Sequence, residues 1–132
     1  MATDSPVLSV FVLNGCGTCE DVIRDLPQWS EQLGGAATEV FSPPVAAGIP
    51  VPRWFDICIP DPGEVVARSR GVTLYPTLLL SGWPGDIGPR RATGYMAIRE
   101  LILEAQRDLR HRAWQRRPFV WMSRSRGWER QV

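Results

Sequence analysis

A nearly continuous apolar run over residues 7–13 (V-L-S-V-F-V-L) is followed after a short gap by an amphipathic helical pattern. Such a run is typical of a strand that is buried on both faces of an α/β sheet. The helix should end at Gly34-Gly35, and its apolar side chains recur on one face: Cys19, Val22, Ile23, Leu26 and Leu33. Pro27 lies inside it and lacks an N–H, so we expect a kinked or split helix. The chain therefore begins as a strand–helix unit of an α/β domain.

Three further stretches have strand character, at residues 53–59, 77–81 and 90–95. Between the first helix and residue 53 lies an insert, residues 36–52, which is rich in proline and contains a candidate short strand at 37–41. The first two core strands are separated by a helix and must therefore be parallel, whereas 77–81 and 90–95 should pair antiparallel. The prediction is an α/β fold with a mixed four-stranded sheet flanked by helices.

Two more helices complete this prediction. The shorter one should begin at Asp61, which can cap it, with Pro62 at the first helical position and Glu64 closing a capping box. Gly71 is expected to end it. The longer one has an apolar face with helical spacing, formed by Ile98, Leu101, Ile102, Ala105 and Leu109.

The chain has three cysteines, Cys16, Cys19 and Cys58, and an odd number argues against a disulfide framework. Cys16 and Cys19 form a C-x-x-C pair. Spacing alone leaves open half a zinc site, a metal-carrier loop, a redox pair and chance. A closed structural zinc site needs four ligands, and only Cys58 and His111 remain as thiol or imidazole ligands. Cys58 lies in an apolar stretch and is expected to be a buried, inert thiol.

The position of the pair favours redox chemistry. Cys16 should lie at the N-terminus of the first helix, where unpaired backbone N–H groups and the helix dipole stabilise a thiolate. Cys19 follows three residues later, close enough for a disulfide. Cys16 is therefore the candidate nucleophile and Cys19 the thiol that resolves a mixed disulfide. Glu20 and Asp21 lie in the first turn of this helix. Their negative charges either stabilise the helix by interacting with its dipole or raise the pKa of the Cys16 thiol.

The segment G-C-G-T-C at residues 15–19, after a Val-rich strand, resembles the active-site segment of the thioredoxin-like superfamily. Residues 71–80 (G-V-T-L-Y-P-T-L-L-L) are similar to the stretch in which that family has a cis-proline followed by Thr and an apolar strand. The T-G-Y at residues 93–95 is similar to the end of the family's last strand. The resemblance covers roughly residues 7–109.

The resemblance implies a thioredoxin-like fold in which the bond before Pro76 is cis and Pro76 lies beside Cys16. The backbone of Tyr75 would then be available to pair with an extended substrate. The substrate-binding residues that it implies are Gly17, Thr18, Tyr75 and Pro76. The sequence departs from the family pattern at Gly15, where Trp is usual, at Thr18, where Pro is usual, and at Ser9-Val10, where a buried acid is expected.

These observations predict a thiol-disulfide oxidoreductase that reduces disulfide-containing proteins. It would need no bound cofactor, and its electrons would come from a reductase or a small thiol. One alternative is a metal-carrying module that uses Cys16 and Cys19. The other is a non-catalytic interaction domain that acts through its C-terminal tail.

Charge is distributed unevenly along the chain. Residues 1–106 hold 7 arginines and 12 acidic residues, whereas residues 107–132 hold 8 arginines and 2 acidic residues. We expect residues 1–113 to form the thioredoxin-like domain and residues 114–132, with arginines between aromatic residues, to form an extension packed on it. A protein partner, single-stranded nucleic acid and an anionic membrane are the less favoured alternatives. No apolar run has the length of a membrane span, and residues 1–6 lack a basic signal-peptide region, so a cytoplasmic protein is expected.

Overall fold

The computed structural model describes residues 5–51 and 56–115. Its strands are β1 (Val7–Phe11), β2 (Ala37–Ser42), β3 (Ile59–Pro60), β4 (Thr77–Ser81) and β5 (Arg90–Thr93). Its helices are α1 (Gly17–Gln32), α2 (Val65–Ser69), which follows a 3-10 turn (Pro62–Glu64), and α3 (Tyr95–Gln115). No helix in these two ranges is long and apolar enough to cross a membrane.

The strands form one mixed sheet in the order β3-β2-β1-β4-β5. β1 pairs parallel with β2 and antiparallel with β4, and β5 pairs antiparallel with β4. β1 therefore lies at the centre of the sheet, as its apolar sequence predicted. The predicted α/β class and mixed sheet are confirmed, but the sheet has five strands rather than four.

The predicted core strand at residues 53–59 is wrong. The place beside β1 belongs to β2, which directly follows α1 and was predicted only as a candidate short strand. Residues 52–55 lie outside the described ranges, and Ile57 lies in a helical turn. Only Ile59–Pro60 pairs with β2, at the edge of the sheet, and Ile57 and Ile59 are 61% and 44% exposed. A strand at the edge of a sheet is buried less than a central one. The apolar composition of this stretch therefore predicted more burial than the structure shows.

Helices cover both faces of the sheet. The larger core lies between the sheet and the pair α1 and α3, and it includes Leu8, Val10 and Val12 of the first strand and its extension. The smaller core lies on the opposite face, where Phe11 contacts residues of α2 and the loop after it. Successive side chains of β1 therefore enter two different cores. This double burial makes β1 a rigid support for the loop that follows it.

Pro27 does not split α1, which is continuous over 16 residues. Pro27 is exposed, so the carbonyl that loses its N–H partner can bond to water. At the other end of the chain, α3 runs to Gln115. Residues 116–132, which make up nearly all of the predicted extension, lie outside the described residues, and its packing on the domain stays a prediction.

Candidate active site

The candidate dithiol lies at the carboxyl end of β1, where the chain turns from the sheet into α1. Gly15 has a φ of 81°, a left-handed conformation that glycine adopts without a steric penalty. This turn gives a physical reason for glycine at this position. Cys16 then adopts an extended conformation and is the N-cap residue of α1.

Cys16 caps the helix with its sulfur atom. Its Sγ accepts a hydrogen bond from the backbone N–H of Cys19 at 3.3 Å and lies 3.5 Å from Oγ1 of Thr18. Partial burial by itself would raise the pKa of Cys16, but hydrogen bonds from the side chains and backbone of Cys19 and Thr18 outweigh it and lower that pKa. The predicted position of Cys16 at the helix N-terminus is therefore present in the structure. It supplies hydrogen bonds to the thiolate form.

Cys19 has the opposite environment. Its side chain is fully buried in the larger core, and its Sγ accepts a hydrogen bond from the N–H of Leu13 at 3.5 Å. Burial, followed by the hydrogen bond to Cys16, raises the pKa of Cys19 to about 12. The two thiols therefore differ in the direction of their pKa shifts and in their access to solvent. At neutral pH Cys19 remains a thiol that donates to Cys16.

Two acidic residues follow the pair, and the structure separates their effects. The negative charge of Glu20 contributes to the raised pKa of Cys19, and neither Glu20 nor Asp21 is a cause of the shift at Cys16. The carboxylate of Asp21 lies 3.1 Å from the guanidinium of Arg24. The lowered pKa of Cys16 is therefore due to its hydrogen bonds with Cys19 and Thr18.

The sheet brings Tyr75 and Pro76 to the same edge as the dithiol. Phe11 at the end of β1 is opposite Thr77 at the start of β4, so the residues just before β4 lie next to the loop that leaves β1. The Tyr75–Pro76 peptide bond is cis. The carbonyl of Pro76 accepts a hydrogen bond from the N–H of Gly94 at 2.8 Å, which joins the β5–α3 junction to the same loop.

The side chain of Tyr75 makes a hydrogen bond and contacts with both cores. Its ring contacts both cores, and its hydroxyl donates to Oε1 of Glu64 at 2.5 Å. Within residues 5–51 and 56–115, neither its N–H nor its carbonyl makes a backbone hydrogen bond. The contact between Glu64 and Tyr75 was not predicted from the sequence, because the pattern around Glu64 is typical of a capping box. Asp61 alone caps α2, with hydrogen bonds from the N–H groups of Val66 and Ala67 at 2.8 and 3.0 Å.

The remaining thiol, Cys58, is half-buried against the larger core, and burial raises its pKa to about 11. In the part of the chain that the structure describes, no group of three or more His, Cys, Asp or Glu side chains could hold a metal ion. Gly17 and Thr18 are the first two residues of α1, and both are exposed beside Cys16.

The three thiols are expected to react in a fixed order with an alkylating reagent. Only thiolates react, and with pKa values of about 12 and 11, about 1 in 10,000 Cys19 and about 1 in 1,000 Cys58 side chains are thiolates at pH 8. A short pulse of iodoacetamide on reduced protein at pH 8 should therefore modify Cys16 first. Peptide mass spectrometry measures the three rates, and the urea-unfolded protein serves as the control in which they converge. Faster modification of Cys58 than of Cys16 would contradict this order.

No protein-family model and no curated protein sequence matches this chain. Solved structures do match its fold. The chain is 18% identical to dsbF of MTB, described in mixed oxidized and reduced forms, with a TM-score of 0.57 over 77% of this chain and 79% of that one. The reduced N-terminal domain of PilB from N. meningitidis is 21% identical, with a TM-score of 0.53 over 83% and 82% of the two chains. The exposed lipoprotein thioredoxin Etrx1 of Streptococcus pneumoniae strain TIGR4 is 17% identical, with a TM-score of 0.51 over 76% and 85%.

Proposed function

We propose that this chain, which has a thioredoxin-like fold, is a thiol-disulfide oxidoreductase that reduces disulfides in proteins. The observation that supports this most strongly is the asymmetry of the dithiol. Cys16 is partly exposed, caps α1 and has a lowered pKa, whereas Cys19 is buried three residues later and has a raised pKa. Such a pair provides one thiolate that attacks a substrate disulfide and one thiol that resolves the resulting mixed disulfide.

In the first step, the Cys16 thiolate attacks one sulfur of the substrate disulfide. A mixed disulfide forms, and the other substrate sulfur leaves as a thiolate that takes up a proton. The negative charge on Cys16 is thereby lost. Two causes of the raised pKa of Cys19, its hydrogen bond to Cys16 and the charge on Cys16, disappear with it. The Cys19 thiol then becomes easier to deprotonate at the moment when it is needed.

In the second step, Cys19 loses its proton and attacks Sγ of Cys16. The Cys16–Cys19 disulfide forms, and the substrate leaves with its second sulfur reduced. The substrate has gained two electrons and two protons. The dithiol has lost two electrons and the Cys19 proton, and the solvent has supplied the other proton. A reductase or a small thiol would restore the dithiol.

The proposed substrate groove lies between the start of α1 and the segment before β4. Gly17 and Thr18 are exposed on one side of it, and Tyr75 and Pro76 lie on the other. Because the backbone of Tyr75 is unpaired within the described residues, its N–H and carbonyl can bond to an extended peptide. We propose that these four residues hold the segment that carries the substrate disulfide, and that the protein works in the cytoplasm.

Neither alternative is favoured by an observation. A metal-carrying role would use the same two thiols, Cys16 and Cys19, as the redox role. A role that depends on the C-terminal tail concerns residues outside the described ranges.

The proposed function predicts catalysed reduction of insulin disulfides in the presence of dithiothreitol. The rate above the dithiothreitol background is followed by the turbidity of the released insulin B chain, with protein alkylated at Cys16 as the control. A redox titration should show one two-electron couple, with the mass change confined to the peptide that contains Cys16 and Cys19. A rate at background, with metal bound to anaerobically purified protein, would replace this proposal with the metal-carrying one.

A further inference from the structure

Glu64 has a backbone conformation that is unfavourable for its residue type. Its φ is 56° and its ψ is 37°, and it is the only residue other than glycine with a positive φ in the part of the chain that the structure describes. Side chains with a Cβ atom rarely adopt this left-handed region because Cβ approaches the following carbonyl oxygen. Such a conformation persists only where surrounding contacts hold it, and it is frequent where a side chain must be aimed at a functional group.

In this conformation Glu64 contacts Tyr75, which lies at the same edge of the sheet as the dithiol. Its carboxylate accepts a hydrogen bond of 2.5 Å from the hydroxyl of Tyr75, 11 positions later in the chain. Asp61, which is 2% exposed, caps the start of α2 and so anchors the turn that carries Glu64. The N–H of Glu64 also donates to the carbonyl of Asp61 at 2.9 Å. Glu64 therefore connects a well-anchored turn to the residue that precedes Pro76.

We propose that Glu64 is a positioning residue, which acts through Tyr75 and selects protein disulfides over small ones. This inference rests on the proposed function, in which the backbone of Tyr75 pairs with a peptide. The N–H and carbonyl of Tyr75 itself make no backbone hydrogen bond within the described residues. The carbonyls on either side of it are held, that of Leu74 by Oγ1 of Thr77 at 2.7 Å and that of Pro76 by the N–H of Gly94 at 2.8 Å. A carboxylate oxygen accepts a short, directional hydrogen bond from a hydroxyl, so Glu64 fixes the ring of Tyr75 and with it the peptide groups beside that ring. A small disulfide needs only Cys16 and makes no use of these peptide groups.

Three variants distinguish an effect of Glu64 on the position of Tyr75 from an effect on the stability of the fold. Glu64→Gly removes the carboxylate and places at this position the residue type that favours a positive φ. Tyr75→Phe removes only the hydroxyl. Glu64→Gln keeps an acceptor oxygen at the same reach and serves as the conservative control. Each variant is assayed with insulin and with 5,5′-dithiobis(2-nitrobenzoate), a small disulfide that needs no peptide groove.

For Glu64→Gly and Tyr75→Phe, we expect kcat/KM for insulin to fall about tenfold through a higher KM. The rate with the small disulfide should fall by much less, so the ratio of insulin activity to small-disulfide activity should drop. Glu64→Gln should retain most of the insulin activity, and the double variant should be no worse than either single one. A variant that simply unfolds would lose both activities together and would be recognised by its circular dichroism. Tyr75→Phe, which keeps the ring in both cores, then provides the decisive comparison.

An unchanged ratio of insulin to small-disulfide activity in both variants would overturn this inference and leave the proposed function standing. Wild-type protein that reacts with the small disulfide but not with insulin or any other protein disulfide would overturn both. Equal losses on the two substrates in folded Tyr75→Phe would also overturn it, since they would indicate an effect on Cys16 itself.

Discussion

Replacing Cys16 with serine is expected to abolish disulfide reduction, by a factor of about 10³ or more, because no other thiol of the site is both accessible and readily deprotonated. Replacing Cys19 with serine should leave the first step intact and stop the second. The Cys19→Ser protein should therefore accumulate a mixed disulfide between Cys16 and the substrate. Non-reducing electrophoresis and mass spectrometry of the trapped species measure this difference.

Cys58→Ser is the matched control, since it removes a half-buried thiol of raised pKa without changing the dithiol. It should reduce insulin at the wild-type rate. Equal trapping by the Cys16 and Cys19 variants, or a mixed disulfide at Cys58, would show that the roles assigned to the two site cysteines are wrong.

Replacing Leu80 with alanine should lower the free energy of unfolding by about 3 kcal/mol, the typical cost of removing a leucine side chain from a closed core. Leu80 is fully buried in β4, where it is opposite Leu8 of β1 and contributes to the larger core. It lies towards the end of β4 that is distant from Pro76. The folded fraction should therefore keep its reactivity with small disulfides. Urea denaturation followed by tryptophan fluorescence gives the free-energy difference.

Leu74→Ala is the corresponding control for stability, because Leu74 is 64% exposed. It should change the free energy of unfolding by no more than about 0.5 kcal/mol. Similar losses in the Leu74 and Leu80 variants would mean that β4 is not buried as described.

Features that depend on neighbouring residues were predictable from the sequence. The apolar run of β1 predicted burial on both faces because a strand that alternates between two cores needs apolar residues at nearly every position. The break at Gly15 and the pattern from Cys19 onward predicted a helix that starts at the C-x-x-C pair, and Cys16 is its N-cap. The strand expected over 77–81 is present as β4, and the strand expected over 90–95 is present as β5, which ends at Thr93.

Features that depend on competition between segments were predicted less well. Residues 37–41 and 53–59 both have strand character, but only one strand can take the place beside β1. β2 takes it because it follows α1 directly, and the later stretch contributes two residues at the edge of the sheet. Similarly, the pattern around Glu64 suited a capping box, but the left-handed turn at Gly63 and Glu64 directs that carboxylate away from the helix.

The sequence by itself determined the α/β class, the central strand and the dithiol at the start of a helix, since hydrophobic periodicity, glycine and N-capping act over a few residues. Only the tertiary structure decided what surrounds that dithiol. The pairing of Phe11 with Thr77 brings together segments more than 60 residues apart, and it places Tyr75 and Pro76 at the edge where Cys16 begins its helix. The hydrogen bond from Tyr75 to Glu64 likewise depends on where two loops meet. No local pattern encodes such contacts, because each arises from the packing of whole elements against one another.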